Sequence, residues 1–192
     1  MKLKVKDLCL MAISLAILRI SSKISFNLGV ITLTLQTLSV SLISFILKWK
    51  RASLVFLTYI VMGLIGIPVF STGGGYQYIY SLSFGFIIGF FLSSFIFGSN
   101  ILSKYKWTNI IKGILGLAII DISGLVYMYI IFKYYNNQDV SFIYVIEVGL
   151  LPFIIKDLVS VVLSSIIAIR LEPAIENIGI YNKELIKNDN HE

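Results

Sequence analysis

The chain is 192 residues long, 57% hydrophobic and only 14% charged, with a mean hydropathy of +0.90 and a net charge of +6. Soluble domains carry about 25% charged residues, so this chain has too few charges to cover a water-facing surface, and lipid must cover much of it. A spanning helix needs roughly 20 apolar residues, so the length holds about six spans and excludes a separate soluble domain.

The basic residues sit between apolar segments, which points to orientation in a membrane and away from nucleic acid. Cys9 is the one cysteine and His191 the one histidine. One cysteine excludes an internal disulfide, and the pair argues against a zinc site; no metal or other cofactor is expected.

In chain order, Lys2, Lys4 and Lys6 precede an apolar stretch that ends between Arg19 and Lys23 without a small-residue cleavage site. This reads as an uncleaved first span over about 7–22. Further helices are expected at 33–47, 52–66, 82–99, 107–132 and 146–170. The second is short, and either tilts little or extends back through Val30 and Ile31. The expected fold is all-α and polytopic, with a membrane domain over 1–172 and a polar cytoplasmic tail over 173–192. Twelve of the 16 basic residues fall on one side: at the N-terminus, at Lys48, Lys50 and Arg51, at Lys104, Lys106 and Lys112, and at Arg170, Lys183 and Lys187. Positive residues stay inside, so both termini are expected in the cytoplasm, as an even number of spans requires. The opposite face then carries 23–32, 67–81 and 133–145. The 67–81 segment has no charge, three successive glycines (73–75) and three tyrosines. It reads either as a lid packed closely over something outside the membrane or as an ordinary turn with interfacial tyrosines.

Enzyme motifs are absent. There is no phosphate-binding Gly-x-x-x-x-Gly-Lys-Ser/Thr loop and no His-Glu-x-x-His, and one terminal histidine rules out an intramembrane Ser-His-Asp set. Asp121 and Asp157 lack the Gly-x-Gly-Asp context of intramembrane aspartyl proteases. What remains is a small set of polar groups inside spans: Asp121, Lys156 and Asp157. A charge near the bilayer centre costs at least ~2.5–3.5 kcal/mol and is kept when it is paired or functional. Asp157 and Ser160 share a helix face, and so do Lys156 and Ser160, so the three can form one polar patch. On the first span, Ala12 and Ala16 make a small-xxx-small motif that lets another helix approach closely.

Three segments resemble the biotin-transport S components (the BioY family) of energy-coupling factor transporters. Thr32-Leu-Thr-Leu-Gln-Thr-Leu38 is similar to the family's Pro-Val-Thr-Leu-Gln-Thr-Leu. Tyr59-Ile-Val-Met-Gly-Leu-Ile-Gly-Ile-Pro-Val-Phe70 is similar to its Tyr-Leu-Leu-Leu-Gly-Leu-Ile-Gly-Leu-Pro-Val-Phe. Gly149-Leu-Leu-Pro-Phe-Ile-Ile-Lys-Asp-Leu158 is similar to its Gly-Val-Leu-Pro-Phe-Ile-Pro-Gly-Asp-Leu. The resemblance spans roughly residues 10–172. It implies a multi-pass protein of the cell membrane that binds a vitamin from outside and delivers it with a transmembrane partner and two ATPases. Ala12 and Ala16 then correspond to the motif that contacts the transmembrane partner. Asp157 corresponds to an acceptor for the ureido N–H groups of biotin, and Gln36, Phe70, Tyr76 and Gln77 become candidate lining residues. Gln36 is equally an interhelical hydrogen-bonder, and Phe70 and Tyr76 are either interfacial anchors or a stacking lid. Two departures bear on the ligand. Ser81-Leu-Ser-Phe-Gly-Phe86 stands where the family has Gly-Pro-Thr-Gly-Gly-Tyr. Ser160 stands where the family has lysine, while Lys156 replaces a glycine. Lys156 substitutes for the missing donor if its stem folds toward the same pocket; otherwise the ligand is a related small carboxylated compound, lipoate-like or a biotin precursor. A secondary transporter is disfavoured because no inverted repeat is visible, and a ligand-free membrane scaffold is the remaining reading.

Overall fold

A computed structural model describes residues 4–27, 32–99 and 108–177. Helix α1 (Val5–Lys23) leads into a two-stranded antiparallel ribbon, β1 (Ser25–Asn27) and β2 (Thr32–Thr34), with Ser25 opposite Thr34. Helix α2 (Gln36–Leu64) follows, then a 3₁₀ turn over Tyr76–Tyr80 and helix α3 (Phe84–Phe97). Helix α4 (Thr108–Ile130) runs on as a π-turn over Ile131–Tyr135; α5 (Phe142–Gly149) and α6 (Ile154–Asn177) complete the chain.

Helix α2 is a hairpin, not a rod. Lys48 has φ 60° and ψ 168°, outside the helical region, and divides it into limbs 36–47 and 49–64. Gln36 Nε2 donates to the Tyr59 hydroxyl at 2.9 Å. In a straight helix residues 23 apart lie about 35 Å from each other, so the limbs run back along one another. The turn is clamped from α3: Trp49 N donates to Gly98 O at 3.1 Å, and a Cβ on Gly98 would stand 2.2 Å from Trp49 N. Only glycine permits that approach. Two limbs of α2 with α1, α3, α4 and the α5–α6 pair give the six helical passes expected from the apolar runs.

The boundaries differ from expectation in two places, each for a local reason. The second pass does not extend back toward residue 30: Thr32–Thr34 are extended, the helix begins at Gln36, and Val30 and Ile31 lie outside the described residues. The last pass is broken. Pro152 has no N–H to continue the ladder, and α5 meets α6 across 150–153 at a bend of 52°. Lys112 lies in α4, inside the expected 107–132 helix, 5% exposed, with its ammonium donating to Ser99 O at 2.7 Å. Lys104, Lys106 and the tail beyond Asn177 lie outside the described residues.

The packing is inverted relative to a water-soluble bundle. Large apolar side chains cover the outside, among them Ile13 and Ile17 on α1, Ile122 on α4, and Val159 and Leu163 on α6. Serines fill the helix contacts: Ser41, Ser44, Ser93, Ser94, Ser164 and Ser165 are all buried, and Ser41 donates to Ser164 at 2.7 Å between α2 and α6. Small residues let helices approach where lipid removes the usual hydrophobic drive between them. Helix α4 with its π-turn is 28 residues long and contains an 18-residue window of mean hydropathy 2.1, long enough to cross ~30 Å of hydrocarbon. The protein is a helical membrane protein.

Helices α3 and α4 make the closest contact. A Cβ on Gly89 would lie 2.3 Å from Ser123 Oγ and 2.8 Å from Ile120 Cα. Gly89→Val is expected to destabilise the fold by about 1–3 kcal/mol, the range for overpacking a filled contact. The measurement is the unfolding midpoint of purified protein in detergent, which should fall clearly below the wild-type value.

Candidate functional site

Three helices begin at the end of the bundle that carries the ribbon: the first limb of α2 at Gln36, α3 at Phe84 and α6 at Ile154. Their first turns face a cleft of about 560 Å³, its open mouth included. Gln36 and Thr37 line it from α2, Ser83 caps α3 beside it, and Lys156 and Asp157 come from the first turn of α6. Helix N-termini carry partial positive charge and free N–H groups. Their convergence favours acceptor oxygens and carboxylates in this cleft.

The floor is apolar, built by Phe86, Ile87 and Phe90 of α3, Ile120 of α4 and Phe153 of the α5–α6 break. The walls are polar. On one side Gln36 Oε1 accepts from the Thr34 hydroxyl at 3.1 Å, while its amide nitrogen donates to Tyr59. The Tyr59 hydroxyl in turn donates to Val69 O at 2.9 Å, an acceptor shared with the Ser22 hydroxyl of α1 at 2.9 Å. On the other side the hydroxyls of Ser71, Tyr78, Ser83 and Ser81 form a chain with spacings of 3.2, 3.3 and 2.9 Å.

The charged centre is at the start of α6. Consecutive helical residues point about 100° apart and do not normally meet. Lys156 nevertheless folds back: its ammonium donates to Thr34 O at 2.8 Å, reaches Thr37 Oγ1 at 3.5 Å, and contacts Asp157 Oδ1. That last contact is an ion pair poorly aligned for a hydrogen bond, so Asp157 Oδ1 is buried without a hydrogen-bond partner. Asp121 of α4 lines the same cleft. The arrangement can bind: it offers carboxylate acceptors, one ammonium donor, several hydroxyls and an apolar floor.

Of the residues singled out in the sequence, Gln36, Lys156 and Asp157 meet at the cleft; four others do not line it. Phe70 is fully buried beneath, tilted at 38° against Tyr78 at 4.3 Å and edge-on to Tyr59 at 5.4 Å, where it supports the walls. Tyr76 is 74% exposed, and Gln77 turns back to Gly74 O at 3.4 Å. Ser160 is buried one turn below the lining. The reason for the Tyr76 result is geometric: in a 3₁₀ turn of three residues, positions two apart cannot face the same way, and Tyr78 is the one turned inward. Tyr78, Ser83, Phe86, Phe90 and Phe153 were not anticipated, because only tertiary folding brings them together. Ala12 and Ala16 lie exposed on the outer face of α1.

Fold and cleft define a membrane-embedded protein with a binding site for a small polar ligand, opening at one end of its helices. The BioY family model matches residues 1–177, and the chain belongs to the BioY family. Probable biotin transporters of Lysinibacillus sphaericus and Pyrococcus horikoshii are 31% and 32% identical to it. The first match covers 86% of each chain, the second 88% of this chain and 98% of the relative. The biotin transporter of Thermotoga maritima is 31% identical over 82% of this chain and 90% of its own. In fold, the chain is similar to the crystal structure of an S-component for biotin from an ECF-type ABC transporter. That match has a TM-score of 0.77 at 21% identity and covers 88% of this chain and 92% of the other.

The Gln36–Tyr59–Val69 network sets the wall of the cleft. Tyr59→Phe removes the acceptor of the Gln36 amide and is expected to lower stability by about 1–2 kcal/mol. Tyr76→Phe, at an exposed position, should leave the unfolding midpoint unchanged in the same detergent.

Proposed function

We propose that this protein is the substrate-binding subunit of an energy-coupling factor importer in the cell membrane, taking biotin from outside. The observation that carries the reading is Asp157 Oδ1, a buried carboxylate oxygen without a hydrogen-bond partner, facing a cleft beside an ammonium in a member of the BioY family. Biotin presents two N–H donors and a carbonyl on a ureido ring, an apolar sulfur ring and a carboxylate tail. Asp157 accepts an N–H, Lys156 donates to the carbonyl, and Phe86, Phe90 and Phe153 meet the apolar ring. Lys23 donates to Ser71 O at 3.0 Å, and Ser71 lines the cleft, so an exposed cation stands at the rim for the tail.

Delivery requires other chains in this reading. The basic residues put both termini in the cytoplasm and the cleft outside. A transmembrane partner docks on α1 across Ala12 and Ala16, and two ATPases supply energy. The ligand is moved without covalent change, so the role is not enzymatic. A second ligand, lipoate-like or a biotin precursor, is favoured by one observation: the cation enters from Lys156, before the aspartate, while Ser160 stands at the family's lysine position.

The test is calorimetric titration of purified protein in detergent. Biotin should give saturable binding of one molecule per chain. Asp157→Ala should weaken it at least ~30-fold, since truncating one partner of a buried charge pair costs about 2–5 kcal/mol. Lys156→Ala should weaken it roughly 10- to 100-fold. No heat with biotin but saturable heat with lipoate would replace the ligand. Lys156→Ala binding as wild type while Asp157→Ala loses binding would remove Lys156 from the site. For the partner surface, Ala12→Leu with Ala16→Leu should abolish copurification of the coexpressed transmembrane partner and leave biotin titrations unchanged.

A further inference from the structure

Asp121 has no evident place in the scaffold. It lies near the middle of the 28-residue helix Thr108–Tyr135, the depth at which a charge is most expensive. Among the described residues its carboxylate makes no hydrogen bond and no ion pair. It lines the cleft from α4, which packs against α6, and so shares that space with Asp157 and Lys156. Two carboxylates thus face one ammonium. One of them, Asp157, keeps a buried oxygen without a hydrogen-bond partner, and Lys156 is already committed to Thr34 O and to Asp157.

The cleft sets one ammonium against two carboxylates. Carboxylates sharing a poorly solvated space disfavour each other's ionisation, and a ligand that brings an N–H group to each stabilises both. A cyclic urea has that pattern: two N–H groups directed to opposite sides of a single carbonyl. We propose that Asp121 is the second N–H acceptor and a specificity-determining residue of the cleft. A cyclic-urea ligand is then held between Asp121 on α4 and Asp157 on α6, with its carbonyl toward the Lys156 ammonium. The inference rests on the reading of the ligand as biotin and deepens it. On this geometry a ring without paired N–H groups, such as a dithiolane, leaves two carboxylates unmatched and binds more weakly than a cyclic urea.

The experiment is a set of titrations with biotin and with its two mono-N-methyl derivatives, each methylated at one ureido nitrogen. Wild type, Asp121→Asn, Asp121→Ala and Asp157→Ala are compared, with unfolding midpoints recorded for each. Asp121→Asn keeps the shape and should weaken biotin about 10-fold; Asp121→Ala should weaken it roughly 10- to 100-fold, the range for a hydrogen bond to a charged group. Each methyl derivative should bind wild type weakly. In Asp121→Ala the penalty should shrink for one derivative only, and in Asp157→Ala for the other. A merely structural Asp121 would shift the unfolding midpoint without changing this pairing. If Asp121→Asn and Asp121→Ala bind biotin within twofold of wild type, or if Asp121→Ala leaves both methyl penalties unchanged, the inference is overturned while the biotin reading stands. If wild type does not bind biotin, both fall together.

Discussion

The constraint on which this structure turns is the burial of Asp157 beside Lys156 at the start of α6. A carboxylate at membrane depth persists only with compensation. Asp157 obtains it from the Lys156 ammonium and from the positive end of its own helix. The second source depends on the break at 150–153: an unbroken helix would carry no N-terminus at this depth. Irregular backbone within a membrane is tolerated where protein or a cavity surrounds it, and here its free groups are met locally: Leu150 and Leu151 N donate to Ile146 O, Phe153 and Ile154 N to Leu150 O. The ribbon completes the device, since Thr34 O holds the Lys156 ammonium in place.

The rest of the bundle fixes the distances around that centre. Gly89 and Gly98 admit contacts no larger residue allows, and the α2 hairpin brings Gln36 and Tyr59 together from opposite ends of one continuous segment. Buried serines, bonded back to their own helices as Ser44 is to Val40 O, add no unpaired groups to the interior. The cleft therefore sits in a tightly packed frame, and its unsatisfied acceptors belong to the site and not to loose packing.

Much of the fold was legible because lipid leaves a coarse signal. Long apolar runs separated by charges located all six passes, and the basic clusters marked the turns at Lys48 and near Gly98. The break in the last pass was marked only by Gly149 and Pro152, which also fit an intact kinked helix, so the choice needed tertiary information. The site was legible where chemistry is expensive: Asp157 and Lys156 stand out in any apolar segment. It was illegible where the contributing residues are ordinary. Tyr78 and Tyr76 look equivalent in a Tyr-x-Tyr run, and only the 3₁₀ geometry turns one inward. Ser83 and Phe153 carry no signal apart from their place at helix starts. Phe70 sits in the most distinctive sequence segment, yet its contribution is to packing: its ring fills the space over Gly63, where a Cβ would stand 2.0 Å from it.

The two ends of α1 join the cleft to the opposite side of the bundle. At the ribbon end, Ser22 shares the Val69 carbonyl with Tyr59, which holds Gln36 in the wall of the cleft. At the other end Asp7, only 5% exposed, pairs with Arg51 at 3.0 Å just past the Lys48 turn. Helix α1 is thus anchored at one end to Val69 of the 67–81 segment and at the other to Arg51 of the second α2 limb. The exposed face between them carries Ala12 and Ala16, with Ile13 and Ile17 beside them. The Val69 carbonyl thus ties α1 to the 67–81 segment through a buried hydrogen bond.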